Sequence, residues 1–370
     1  MLRKFRVSNF KSFEENFELD LTEINGYEFN KECIKNGTVN NAIVYGHNGV
    51  GKSNLGLAVF DIIEHLTDKN REEFRYRHYL NAYTKSNIAE FYYEFQINNK
   101  IIKYEYKKTD YKSLIFEKFS IDDEELVLFD RQQGNQFSAK LKGAETLNTI
   151  IYGNQLSVLK YIKNNTVLEN NENTQTFIGF FNFIDKMLYF RSLEDRGYLG
   201  LDVGYKQLSS DIIERGNVAD FEQFLNDANI ECKLSVVQEL DKKILTFNFN
   251  GKDVPFFDIY STGTSALTLF YFWLQRVKEE NVPFLFIDEF DAFYHHELAE
   301  LVVKRLKNIG VQFILTTHNT SIITNDLLRP DCYFLMNKQK IRSLSKCTEK
   351  ELREAHNIEK MYKAKSFNVD

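Results

Sequence analysis

One stretch constrains this chain more than any other: Gly46-His47-Asn48-Gly49-Val50-Gly51-Lys52-Ser53. It fits GxxxxGK[ST] in full, with the β-branched run NNAIVY before it and the helix-like SNLGLAVFDIIEHL after it. Its glycines let backbone N–H groups turn toward one point, and the following helix adds the positive end of its dipole. Such a cradle, continued by Asn54, suits phosphate oxygens. Lys52 would neutralise β- and γ-phosphates, and the Ser53 hydroxyl would ligate Mg²⁺. Strand, loop and helix in that order commit the region to an α/β fold.

The rest of the chain extends this reading. FRVSNFKSFEENFELDL alternates as strand, turn, strand, and AEFYYEFQI and IIKYEYKK form a predicted hairpin across Asn98-Asn99-Lys100. SLIFEKFSI and ELVLFD follow across an acidic turn, so the middle reads as an antiparallel β lobe. From about 145 to 190 the pattern is helical, interrupted by the polar loop NNTVLENNENTQ. KLSVVQEL and KKILTFNFNGKDVPFFDIY read as β again. In the last third, PFLFIDE, VQFILTTH, CYFLMN and KIRSL are strands, and TEKELREAH is a short capped helix. AFYHHELAELVVKRLKNIG is an amphipathic helix with Leu298, Leu301, Val302 and Leu306 on one face and Gly310 as its stop. Continuous apolar strands between helices predict a mainly parallel sheet covered on both faces.

Three further features carry chemistry. Asp288 and Glu289 end the PFLFIDE strand, where a parallel sheet presents ligands. Asp288 would hold the Mg²⁺ shell, and Glu289 would orient and deprotonate an attacking water. His318, in TTHN at the end of the next buried strand, is placed to sense a γ-phosphate. Ser261, Thr262, Gly263 and Thr264 offer hydroxyls and backbone donors at the mouth of the apolar helix LTLFYFWLQRV, a second anion-binding surface. With one cradle already enclosing the nucleotide, this second surface is free to close on a nucleotide held by another copy. His295-His296 point in different directions on a helix and do not make a zinc site.

Composition excludes other classes. With 47 Lys+Arg against 53 Asp+Glu, the net charge of −6 argues against a surface built wholly for nucleic acid. The clusters Lys103/Lys107/Lys108 and Arg71/Arg75/Arg77 are interleaved with acids. Cys33, Cys232, Cys332 and Cys347 form no CxxC pair and read as reduced thiols. No apolar run is long enough for a membrane span and the N-terminus lacks a signal peptide's apolar core, so the expectation is a soluble, cytoplasmic protein.

The order GHNGVGKSN, YSTGTSA, FLFIDEFDAF, TTHN resembles the ABC-type ATPase heads of the SMC, OLD-nuclease and abortive-infection group. The N-terminal NFKSF and the C-terminal PDCYFLMN…ELREAHNIEKMYKAKSF resemble the AbiL/RloA-type AAA ATPases of anti-phage systems, relatives of the ATPase subunits of PARIS and Septu. The resemblance implies an ABC-type P-loop NTPase head with a mainly parallel core sheet. An N-terminal antiparallel β lobe and an α+β insertion between Walker A and the signature would complete it. It divides the chain into 1–60 (Walker A), 61–255 (insertion) and 256–370 (signature, Walker B, switch histidine). It further implies ATP and Mg²⁺ as cofactors and a head-to-tail dimer in which Ser261 and Gly263 close on the partner's ATP. Asp291 would then communicate across the interface, and a separately encoded nuclease or toxin would be the effector. The signature reads STGT in place of the transporter-type SGGQ, in keeping with the anti-phage branch. No motif places a Q-loop glutamine; Gln96, on a predicted strand, is its candidate. The short stretch after the last predicted strands leads to the expectation that no Toprim module follows, and the insertion lacks the heptads of an SMC arm. A head that grips DNA directly, in repair or chromosome maintenance, is the alternative reading. A transporter's ATPase subunit is a third, opposed by the β insertion and the signature.

Overall fold

The structure, a computed structural model, describes residues 1–69, 73–191, 198–201 and 208–369. A mainly parallel sheet runs in the order Tyr198–Gly200, Leu188–Arg191, Phe284–Asp288, Gln312–Thr317, Asn41–Tyr45, Tyr333–Met336, Ile341–Ser343. Its four inner pairings are parallel, and the two outer ones are antiparallel. The strands NAIVY, FLFID and QFILTT are buried along their whole length, as continuous apolar runs demand of a sheet covered on both faces.

A second, antiparallel sheet is ordered Ser138–Ala139, Glu124–Asp130, Leu114–Ile121, Lys100–Lys108, Ala89–Ile97, Leu2–Ser8, Phe17–Asp20. The N-terminal strands and the middle of the chain thus share one sheet. Its hairpins turn on Asn98-Asn99 and Asp122-Asp123, all four at positive φ. Asn and Asp tolerate the left-handed region best among residues with a side chain, which is why two-residue turns form there.

Between the sheets lies the helix Lys52–Phe60. On one side the Tyr93 hydroxyl donates to the carbonyl oxygens of Ala58 (2.9 Å) and Val59 (3.3 Å). On the other, a Cβ added at Gly56 would stand 2.6 Å from Tyr189 and 2.8 Å from Phe286. Alanine in an open helix position gains up to about 1 kcal/mol over glycine. Overpacking a filled core costs about 1–3 kcal/mol, so here the clash wins. Gly56→Ala should lower stability by about that amount in urea unfolding, and an unchanged midpoint would refute the close packing. Just past this helix Asp61 is fully buried, where it accepts from Tyr79 (2.9 Å), Tyr106 (2.9 Å) and Lys108 (2.7 Å). A buried carboxylate needs a counter-charge and filled lone pairs, and this one has both.

Several sequence expectations give way. TEKELREAH forms no helix: its one large apolar residue, Leu352, gives no face to bury. The Asn325 amide donates to the carbonyl oxygens of Arg353, Glu354 and His356, taking acceptors that a helix would use. The C-terminal helix lies instead at Ile358–Lys363, capped by Asn357. The polar loop before the Glu172–Asp185 helix ends at Asn171, whose side chain caps it. FFDI, read as strand, is a helical turn at Phe256–Ile259. The amphipathic helix begins at His296, because residues 289–294 turn back over the sheet edge. Two helices, Leu208–Glu214 and Val218–Asp227, were not anticipated. All four cysteines are free thiols. Among the described residues no helix is long and apolar enough to cross a membrane.

Candidate functional site

Parallel register brings four strand ends to one edge. Tyr45 pairs with Thr317, Ile287 with Leu315, and Arg191 with Asp288. The glycine loop therefore leaves the sheet beside His318 and one strand away from Asp288 and Glu289. His47, Asn48 and Gly49 are exposed, Val50, Gly51, Ser53 and Asn54 half-buried, and Gly46 and Lys52 buried. Gly49 and Gly51 sit at φ 80° and 106°, where a side chain is strained. A Cβ at Gly46 would meet the Met336 carbonyl oxygen at 2.9 Å, and one at Gly51 would meet Ser12 Oγ at 2.6 Å. The NFKSF turn thus buttresses the loop, and Ser12 also accepts from the Asn54 amide (2.9 Å).

Lys52 Nζ donates to the carbonyl oxygens of Gly46 (2.6 Å) and His47 (3.2 Å). Burial pulls its amine below the usual lysine range, while the charges of Glu289, Asp288 and Asp291 pull it up. Beside the loop, Lys11, Ser12, Gly49, Asn81, Tyr83 and Lys338 help to line a cleft of about 420 Å³.

Two threonines that sequence reading passed over hold the acids of this edge. Thr316 Oγ1 donates to Asp288 Oδ1 (2.7 Å) and accepts from the Glu289 backbone N–H (2.8 Å). That second bond helps to hold Glu289 at φ 49°, a left-handed conformation that costs a non-glycine residue about 1–2 kcal/mol. Thr317 Oγ1 donates to Asp291 Oδ2 (2.8 Å). Burial raises the Asp291 carboxyl above its usual range, opposed mainly by that hydroxyl. The Asp291 side chain is buried against Thr317, and Ala292 and Phe293 are the exposed residues of its loop. His318 is exposed at the strand end.

Arg191 was also missed. Its Nε lies 3.0 Å from Asp288 Oδ2, and its Nη2 lies 3.4 Å from Glu289 Oε2. The signal was present, an apolar run MLYF closed by a charge, but the strand Leu188–Arg191 is four residues long and follows closely on the helix Glu172–Asp185, in a stretch whose pattern reads as helical.

The STGT turn caps the helix Thr262–Glu279: Ser261 Oγ accepts from the Thr264 N–H at 3.1 Å. Ser261 and Thr262 are exposed, Gly263 half-buried and Thr264 buried. Space at Gly263 is ample, the nearest atom to an added Cβ being the Phe293 carbonyl oxygen at 3.5 Å. No hydrogen bond or ion pair joins this turn to the glycine loop among the described residues. Exposed apolar side chains flank it in sequence and space: Phe257, Ile259 and Phe293.

Gln96 does not belong to this edge. Its backbone bonds to Met1, and Leu2 bonds to the side chain of Gln312, which starts the strand whose far end carries His318. It lies at the opposite side of the sheet, and the glutamine assignment falls. Of the basic clusters, Lys103 pairs with Asp123, Lys107 with Glu90 and buried Lys108 with Asp61. Arg71 lies outside the described residues.

A mainly parallel sheet with a glycine cradle at one strand end and an acid pair at the end of a strand one removed defines a P-loop ATPase head. The chain belongs to the family described as AAA domain, putative AbiEii toxin, Type IV TA system, which it matches over residues 42–324. Among solved structures it is similar to the SMC head domain from Thermotoga maritima, at 16% identity over 92% of this chain and 98% of that one, with a TM-score of 0.46. It is similar to an Smc head bound to the C-terminal winged-helix domain of ScpA, at 17% identity over 92% and 96%, TM-score 0.48. A third is an Smc head with an extended coiled coil bound to the C-terminal domain of ScpA, derived from Pyrococcus furiosus, at 13% over 93% and 97%, TM-score 0.48. A search of the curated proteins returns no match.

Proposed function

We propose that this chain is an ATP-binding and ATP-hydrolysing head that works as a pair, the ATPase subunit of an AbiL/RloA-like anti-phage system. The observation that carries the reading is the gathering of the glycine loop, Asp288, Glu289 and His318 at one sheet edge. Residues 46–54 would cradle the phosphates, with Lys52 turning from its loop carbonyls to the β- and γ-oxygens. The residues fit Mg²⁺: Ser53 and Asp288 supply hard oxygen donors, and Asp288 Oδ2 has no hydrogen-bond donor among the described residues. When bound, the metal would neutralise charge between the phosphates. Glu289 would take the proton of the attacking water, and His318 would contact the γ-phosphate. Tyr83 and Lys11 give the adjoining cleft an aromatic face and a cation, the chemistry suited to a nucleoside and its first phosphate.

Ser261, Thr262, Gly263 and Thr264 would cap the nucleotide of a second copy. Their separation from the glycine loop and the exposed Phe257, Ile259 and Phe293 around them support this, since clustered exposed apolar residues favour a covered surface. The loop holding Asp291 would adjoin that interface through Phe293. Signal transmission to a separately encoded nuclease or toxin would follow from opening and closing the pair. Pairing of Lys103, Lys107 and Lys108 with carboxylates favours this over a DNA-gripping head.

Gly263→Asp tests the capping role. The space at Gly263 admits a side chain, so the variant should fold and bind ATP, but its carboxylate should repel the partner's γ-phosphate and lower turnover at least a hundredfold. Full activity in a monomeric Gly263→Asp protein would overturn the reading.

A further inference from the structure

Asp288 is fully buried, and one of its oxygens is occupied by the Thr316 hydroxyl. The other, Oδ2, has no hydrogen-bond donor among the described residues; the charge facing it is Arg191 Nε at 3.0 Å. The same guanidinium reaches Glu289 through Nη2. Lys52, the buried cation of the glycine loop, gives its protons to the carbonyl oxygens of Gly46 and His47. A carboxylate this deep requires a counter-charge, and Arg191 provides it.

That oxygen is also the one that would be available to a divalent cation held with Ser53. Two cations cannot share it without strong repulsion at such short range. We propose that Arg191 is a positioning residue that competes with Mg²⁺ for Asp288. Its guanidinium holds the acid pair until the metal arrives with nucleotide, then withdraws and frees Glu289 to face water. The arginine side chain is 33% exposed, so it has a route to solvent. No bond is made or broken in this exchange; one cation replaces another. The proposal rests on the phosphate-loop reading above and adds a threshold to it: the site arms itself only when metal and nucleotide come together.

The test uses the full chain with a non-hydrolysable ATP analogue and Mn²⁺, whose free and bound forms are distinguished by electron paramagnetic resonance. Arg191→Gln should lower the Mn²⁺ concentration that half-fills the protein–nucleotide complex at least fivefold. Affinity for the analogue in EDTA should stay within twofold of wild type, which a general loss of structure would not allow. Arg191→Lys keeps the charge but loses the planar fork, and should shift the metal midpoint in the same direction by a smaller factor. It serves as the measurement if Arg191→Gln does not fold. An unchanged or raised midpoint in both variants overturns the competition. Failure of wild-type protein to bind the analogue at all would sink the phosphate-loop reading itself, a result distinct from any shift within the Arg191 series.

Discussion

Glu289→Gln is expected to bind ATP and all but cease to turn it over. The substitution keeps size and hydrogen-bonding reach but removes the proton acceptor, and a positioned general base contributes about 10²–10⁴-fold to rate. The backbone argues for a dedicated role. Glu289 sits in a left-handed conformation at the end of the acid strand, with its N–H fixed by Thr316. Strain of this kind persists where surrounding contacts enforce it. The expected measurement is a fall in kcat of at least a hundredfold with the Kd for ATP changed by less than about threefold. Hydrolysis within tenfold of wild type would remove Glu289 from the base role.

The second large effect falls on binding. Lys52→Ala removes the one lysine of the glycine loop, an amine whose present partners are the loop's own carbonyl oxygens at Gly46 and His47. A charge-assisted hydrogen bond contributes about 1.5–3 kcal/mol, so the Kd for ATP should rise roughly 10- to 150-fold. Because Lys52 is buried, melting must be followed alongside. A stable, folded variant with unchanged affinity would discredit the loop as the phosphate site.

How much of this was legible in the sequence follows from where the information sits. The cradle, the acid pair and His318 were readable because each ends an apolar run whose burial leaves no choice of register. The two asparagine and aspartate turns were readable because few residues tolerate positive φ. TEKELREAH was misread because local propensity favoured a helix and a distant amide, Asn325, claimed its carbonyls. Gln96 was misplaced for a related reason: being on a strand does not say which end of which sheet the strand occupies. Thr316, Thr317 and Arg191 act through neighbours brought close only by parallel pairing. The burial of Asp291 against the Thr317 hydroxyl was likewise not legible, since the two meet only when the strands Phe284–Asp288 and Gln312–Thr317 pair.

The central claim is that one molecule grips the triphosphate and another caps it. Sedimentation of Glu289→Gln with and without ATP tests it most directly, repeated in the Glu289→Gln/Gly263→Asp double variant. The account predicts a dimer with ATP, a monomer without it, and a monomer with ATP still bound in the double variant. A Glu289→Gln protein that stays monomeric while saturated with ATP, or a dimer indifferent to Gly263→Asp, would contradict it.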